Sequence, residues 1–188
     1  MDFTILVNKK KGLVEGFAPP ALVDVKSKYK NGIQLNKTAY EQWLKLKEAV
    51  LLKNYEIDIE SGYRSSEYQA SILKELIAEK GEEYASKAIA LPNHSEHQTG
   101  LAVDYCVVRS GGFIIEAEMD KCEECCYTNN IAHKYGFIVR YPKNCVDITG
   151  YQYEPWHLRY VGSELANYLF VNKITLDEFY KENENEEN

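Results

Sequence analysis

A single domain of mixed helices and strands is what this sequence predicts, and three observations carry the expectation. From residue 38 to about 53, Ala39, Trp43 and Val50 recur at helical spacing. Directly afterwards Ile57 and Ile59 alternate with Glu56, Asp58 and Glu60, the period of a strand with one buried face. The chain's 188 residues, 45% of them hydrophobic, suffice for one core without a disulfide or metal staple. That domain is expected over residues 1–181, leaving the acidic 182–188 without the apolar surface needed to fold.

Residues 1–35 carry Gly12, Gly16, Pro19, Pro20 and Gly32 among short apolar pieces such as Ile5-Leu6-Val7 and Ala21-Leu22-Val23. This punctuation predicts an irregular lead-in with short strands, wrapped on the main body. Thr38 is the expected cap of the first helix, with Tyr40, Leu44 and Leu51 neighbouring its apolar stripe. Beyond the strand at 56–60, Ser65 or Ser66 caps a second helix in which Tyr68, Ile72 and Leu76 share a face and which Gly81 ends. Arg64 then stands at a strand-to-helix junction, where a side chain can be aimed into a cleft. A short helix over 82–89 and a turn at Pro92-Asn93 lead to a buried strand over 101–108 carrying Asp104.

Residues 109–130 have the least regular pattern: a Gly111-Gly112 turn, the apolar Phe113-Ile114-Ile115, then an acidic segment with Cys122, Cys125 and Cys126. A helix over 130–135 capped by Gly136, a strand over 137–141 and a turn at Pro142 follow. A further strand is expected over 148–161, interrupted by Pro155, which cannot donate to a ladder and so marks an edge, bulge or loop entry. Glu154 therefore need not obey strict alternation relative to His157. Two terminal helices close the domain, with Thr175 and Glu178 as a capping box in the second.

A formal net charge of -7 without a Lys/Arg cluster argues against nucleic-acid or anionic-membrane partners and toward a small-molecule or peptide substrate. The first residues do not form a basic region followed by a long apolar run, and no stretch approaches a membrane span, so a cytoplasmic protein is expected. Five cysteines, an odd number without regular spacing, predict free thiols; the Cys122 to Cys125 pair lacks the second pair that a metal site needs.

The chemistry concentrates in Ser95 to Asp104 and in Glu154-Pro155-Trp156-His157. Two histidines, an aspartate and a free glutamate are the parts of a catalytic zinc site: three ligands, an open position for water and a general base. His97 is favoured over His94 as the ligand of its segment, because Gly100 and Ala102 leave room for an ion and Asp104 follows as an oxygen ligand. His157 completes the set, while His133 has no companion ligand. Glu154, beside Trp156, is the expected base, and Arg64 the donor where negative charge develops.

The segment Ser61-Gly62-Tyr63-Arg64-Ser65 with Gln69, the pattern S-x-H-x-x-G-x-A-x-D from Ser95 to Asp104, and Glu154-Pro155-Trp156-His157 followed by Arg159-Tyr160-Val161-Gly162 resemble the zinc D,D-peptidases of the VanX, VanY and VanXY types. Bacterial L,D-carboxypeptidases share these motifs. The likeness runs over roughly residues 5–180 and, without a visible signal sequence, looks most like the VanXY type. It implies an α+β fold, a small antiparallel sheet flanked by helices as in the Hedgehog/D,D-peptidase group. It also implies Zn2+ on His97, Asp104 and His157, Glu154 as base, Arg64 as stabiliser of the tetrahedral intermediate, and Ser95 and Gln69 as substrate contacts. The implied substrates end in D-alanine: D-Ala-D-Ala or peptidoglycan stem peptides. An L,D-carboxypeptidase or a phage endolysin is the alternative within hydrolases. A non-enzymatic module would instead close its zinc with a fourth ligand such as Cys106 or Cys145.

Overall fold

The computed structural model describes residues 2–186. Its centre is helix α1 (Lys37–Leu51) laid across an antiparallel sheet. The sheet contains β3 (Ile57–Ser61), β4 (Ala102–Arg109), β5 (Gly112–Ile114), β6 (Phe137–Tyr141) and β7 (Glu154–Tyr160), in the order β3-β4-β7-β6 with β5 also paired to β4. A separate two-stranded ribbon, β1 (Leu22–Asp24) and β2 (Gln34–Asn36), precedes α1. Helices α2 (Ser66–Lys80), α3 (Glu82–Ala88), α4 (Glu123–Ile131), α5 (Val146–Thr149), α6 (Ser163–Asn172) and α7 (Leu176–Glu186) surround the sheet. The fold is thus the expected α+β arrangement.

Burial follows the strand period. Trp43, Leu46 and Val50 of α1 pack on Ile57, Ile59, Val103, Tyr105, Val107, Phe137 and Leu158, all in one apolar cluster. Successive side chains of a strand face opposite ways, so Asp104 on β4 and His157 and Arg159 on β7 fall on the other side of the sheet. A second cluster, with Leu6, Val161, Ala166, Leu169 and Leu176, seats the terminal helices.

Several elements differ from the sequence expectation. Asn36, not Thr38, caps α1: its side-chain oxygen accepts from the Thr38 and Ala39 amides at 3.0 and 3.4 Å. Leu44 and Leu51 are 46% and 58% exposed, because the stripe narrows to Ala39, Trp43, Leu46 and Val50. Ser65 caps α2 as expected, but Tyr68 is exposed and Gln69 is the buried residue of that helix. The acidic cysteine segment is helical as α4 and continues through a 3-10 turn at Ala132–Tyr135 to Gly136, so the helix expected at 130–135 starts earlier. Cys106, Cys122, Cys125, Cys126 and Cys145 are free.

The strand expected from 148 begins only at Glu154, since Val146–Thr149 is a helical turn ended by left-handed Gly150. Pro155 lies where the β6–β7 register shifts, between Val139↔Leu158 and Tyr141↔Glu154. This bulge is the interruption expected of it. The capping box forms, with Thr175 N and Oγ1 donating to Glu178 Oε2 and Glu178 N donating to Thr175 Oγ1. The segment expected to be unfolded from 182 instead extends α7 to Glu186, with Asn183 Nδ2 donating to the Phe179 carbonyl at 2.9 Å. Residues 187–188 lie outside the described residues. No helix among the described residues is long and apolar enough to cross a membrane.

Candidate active site

Register brings the first two groups together. Asp104 is the direct cross-strand partner of His157, and His157 Nδ1 lies 2.8 Å from Asp104 Oδ1. His97 arrives from a 3-10 turn over Glu96–Thr99, placing its Nε2 3.1 Å from Asp104 Oδ2. The three residues offer ligand atoms within 4.8 Å of one another, and they form the one such metal-holding group among the described residues. Neither Cys106 nor Cys145 belongs to it. Gly100 is small for a different reason than expected: its φ is +69°, and an added Cβ would meet Leu22 at 2.9 Å and the Asn36 amide at 3.2 Å.

The protonation pattern fits a cation. His97 Nδ1 lies 2.6 Å from the Gly62 carbonyl, which has no proton to give, so Nδ1 is the donor. Nε2 is then a bare lone pair, buried without a hydrogen-bond partner and facing the Asp104 carboxylate. Two lone-pair surfaces at this separation repel unless a positive ion or proton lies between them. Neutral imidazole and carboxylate are donors suited to zinc.

Charge in the metal-free site is settled by the same neighbours. Burial and nearby Arg64 push His97 below its ordinary pKa, toward the neutral form. Burial works against an ionised Asp104, yet the two imidazoles outweigh it and hold the carboxyl well below its usual range. His157 is also opposed by burial, but the Asp104 and Glu96 carboxylates raise it to about 9, so it carries the positive charge that an ion would replace.

These groups floor a cavity of about 450 Å3, which Arg64, Gln69, Ser95 and Glu154 also line. Glu154 Oε2 is 3.9 Å from His157 Nδ1. Burial raises the Glu154 carboxyl to about 7; His157 opposes the rise and Asp104 adds to it. Arg64 is placed by its backbone amide, which donates to the His97 carbonyl at 3.2 Å, and its Nε is buried without a partner. Gln69 Nε2 donates to the Ala90 carbonyl at 2.8 Å, leaving Oε1 a buried acceptor with no partner. Ser95 is 5% exposed. All seven residues singled out in the sequence therefore meet at one cavity.

His94 and His133 do not. His94 Nδ1 lies 2.8 Å from the Asn8 carbonyl, and His133 stacks on Phe170 at 3.7 Å. Residues that sequence reasoning passed over include Tyr84, Tyr141, Tyr151 and Glu96 in the cavity wall, and Glu60 at the β3 bulge. Burial raises Glu60 to about 7, with Asp104 and Glu116 adding to the rise. An arginine at 140, in a strand that is otherwise apolar, hints at a buried acid without saying which.

Imidazoles and a carboxylate converging on one point, beside a carboxyl poised near neutrality and an unpaired guanidinium, make a candidate metallohydrolase site. The family follows from comparison with known proteins. The chain belongs to the VanY family of D-alanyl-D-alanine carboxypeptidases, whose model matches residues 32–163. It is 41% identical over 181 residues to YodJ of Bacillus subtilis strain 168, which is named as a carboxypeptidase; the match takes in 94% of this chain and 66% of YodJ, just under two thirds of that protein. It is 33% identical over 182 residues to the bifunctional D-Ala-D-Ala dipeptidase and carboxypeptidase VanXYC of Enterococcus gallinarum, covering 96% of this chain and 94% of that one. Among solved structures, the LdcB LD-carboxypeptidase superposes with a TM-score of 0.87 at 40% identity, over 94% of this chain and 84% of LdcB. A VanY D,D-pentapeptidase variant in complex with Zn(II) superposes with a TM-score of 0.81 at 30% identity, over 96% and 99%.

Proposed function

We propose that this chain is a zinc-dependent D,D-carboxypeptidase and D,D-dipeptidase that hydrolyses the bond before a C-terminal D-alanine. The observation that carries the reading is the unpaired His97 Nε2 facing Asp104 and His157 within one cavity that also holds Glu154. His97, Asp104 and His157 would hold the zinc, which when bound would supply Lewis-acid polarisation and a lowered water pKa. Glu154 takes the proton of the attacking water and returns it to the departing amine, two tasks suited to a carboxyl near pH 7. Arg64 donates to the carbonyl oxygen as it gains negative charge. Gln69 Oε1 accepts from a substrate N–H, Ser95 holds the peptide, and Ala88, Ile89 and Ala90 provide a small apolar wall for a methyl side chain.

Incubation with D-Ala-D-Ala, stem pentapeptide and stem tetrapeptide tests the proposal. Release of D-alanine from the first two supports it, and zinc-loaded protein inert on all three sinks it. The likeness to LdcB favours a second reading, L,D cleavage, which predicts release from the tetrapeptide alone.

A further inference from the structure

Behind His157 lies a buried carboxylate that the proposed reaction does not use. Glu96 is 2% exposed, and its Oε1 accepts from both Arg140 Nε and Arg159 Nη1 at 2.7 Å. Its Oε2 has no hydrogen-bond partner and lies 3.6 Å from His157 Nε2, which is likewise buried and unpartnered. An imidazole nitrogen and a carboxylate oxygen thus face each other across a gap only a little longer than a hydrogen bond.

The way the arginines are used is informative. An isolated salt bridge would engage both carboxylate oxygens, the two-point geometry that arginine favours. Here both guanidiniums converge on one oxygen and leave the second toward the imidazole. Their other nitrogens are occupied: Arg140 donates to Asp177 and the Val7 carbonyl, and Arg159 to the carbonyls of Phe3, Ile5 and Tyr160. With Asp177 included, two positive side chains face two negative ones, and Oε1 is held from two directions.

We infer that Glu96 is the positioning residue for His157: its Oε2 accepts the Nε2 proton, fixing the ring and its tautomer and leaving the Nδ1 lone pair directed at the point shared with Asp104 and His97. The inference rests on the proposed role of His157 as a metal ligand. A carboxylate behind a ligating histidine sets ring orientation and basicity, and its loss typically costs about 10–100-fold in metal affinity.

The test combines zinc affinity, measured by chelator competition, with 15N NMR of zinc-loaded protein labelled at its four histidines. The wild type should show His157 protonated at Nε2, with a metal shift at Nδ1. Zinc uptake with His157 protonated at Nδ1 overturns this inference alone. A wild type that takes up no zinc overturns the hydrolase reading and this inference with it. Glu96→Gln keeps the shape but must turn its oxygen to the arginines, presenting an NH2 to His157 Nε2 and forcing the proton onto Nδ1. The expected result is a folded variant by circular dichroism whose zinc affinity is down about 10–100-fold. Wild-type affinity in folded Glu96→Gln overturns the inference; if that variant does not fold, the wild-type spectrum decides.

Discussion

The Gly62 carbonyl oxygen is the acceptor for His97 Nδ1 at 2.6 Å, and Gly62 itself sits where no side chain fits. A Cβ there would lie 2.4 Å from the Gln34 carbonyl oxygen, a backbone atom that cannot step aside. Gly62→Ala must therefore part β2 from the end of β3 and move the carbonyl that holds His97. We expect a loss of about 1–3 kcal/mol in denaturant unfolding, the usual range for overpacking, together with weaker zinc uptake. Unchanged stability and uptake would show that the β2–β3 contact is looser than the distance indicates.

Glu154→Gln should keep zinc stoichiometry and reduce turnover by about 10²–10⁴-fold, the usual contribution of a general base. The acid limb of wild-type activity should have two origins, proton competition at the histidines and protonation of Glu154 near pH 7. Added zinc should then restore only part of the activity at mildly acid pH in the wild type, but all of the small residual activity of Glu154→Gln, which has no carboxyl to protonate. An acid limb abolished entirely by zinc would count against Glu154 as the titrating base.

Arg64→Ala should lower kcat by about 10²–10³-fold, the cost of removing one donor to a developing oxyanion. Zinc affinity should change little, because Arg64 faces the cavity and does not bond the imidazoles. A change confined to KM would reassign Arg64 to binding the substrate carboxylate.

Metal-free protein should lose stability as pH rises from about 6.5 to about 9; below that window the lowered His97 opposes the fall. His157 is raised from 6.5 to about 9, so its contribution is fully present below 6.5 and is lost as pH passes its folded value. Glu154 is raised from 4.5 to about 7; the folded state prefers its protonated form, and ionisation on the way up to pH 7 costs stability. Glu60, also raised to about 7, adds a slope of the same sign. The His157 and Glu154 shifts each correspond to a few kcal/mol at most, at about 1.4 kcal/mol per unit, and that of half-buried Glu60 to less because solvent screens it. Denaturant midpoints after chelation should fall over this range, and the rise on adding zinc should grow with pH. A chelated protein most stable near pH 9 would contradict the charge assignment.

The parts of the site that were legible in the sequence are those carried by short motifs. His97, Asp104, Glu154 and His157 stand out by residue type, and alternation along β4 and β7 accounts for Asp104 and His157 facing away from Trp43. Pro155 could be read as a break because its chemistry is local. Glu96 was not legible, since its partners Arg140 and Arg159 lie 44 and 63 residues away and only the assembled sheet joins them. Thr38 and Asn36 are both good cap residues, and which of them serves depends on where β2 delivers the chain. The acidic end of α7 looked unfoldable by composition, yet the helix started by Leu176 and the Thr175–Glu178 box continues through it.

Arg159 reaches the carbonyls of Phe3 and Ile5, 156 and 154 residues away, while Arg140 joins Val7 to Asp177. A chain leaving the ribosome therefore exposes His97 and Asp104 long before the guanidiniums behind His157 can close, and the clamp waits for Asp177. Non-local contacts of this kind form late in folding. On the proposed reading, metal therefore binds a His157 that is held in place only once Arg140 and Arg159 have closed on the carbonyls of Phe3, Ile5 and Val7 and on Asp177.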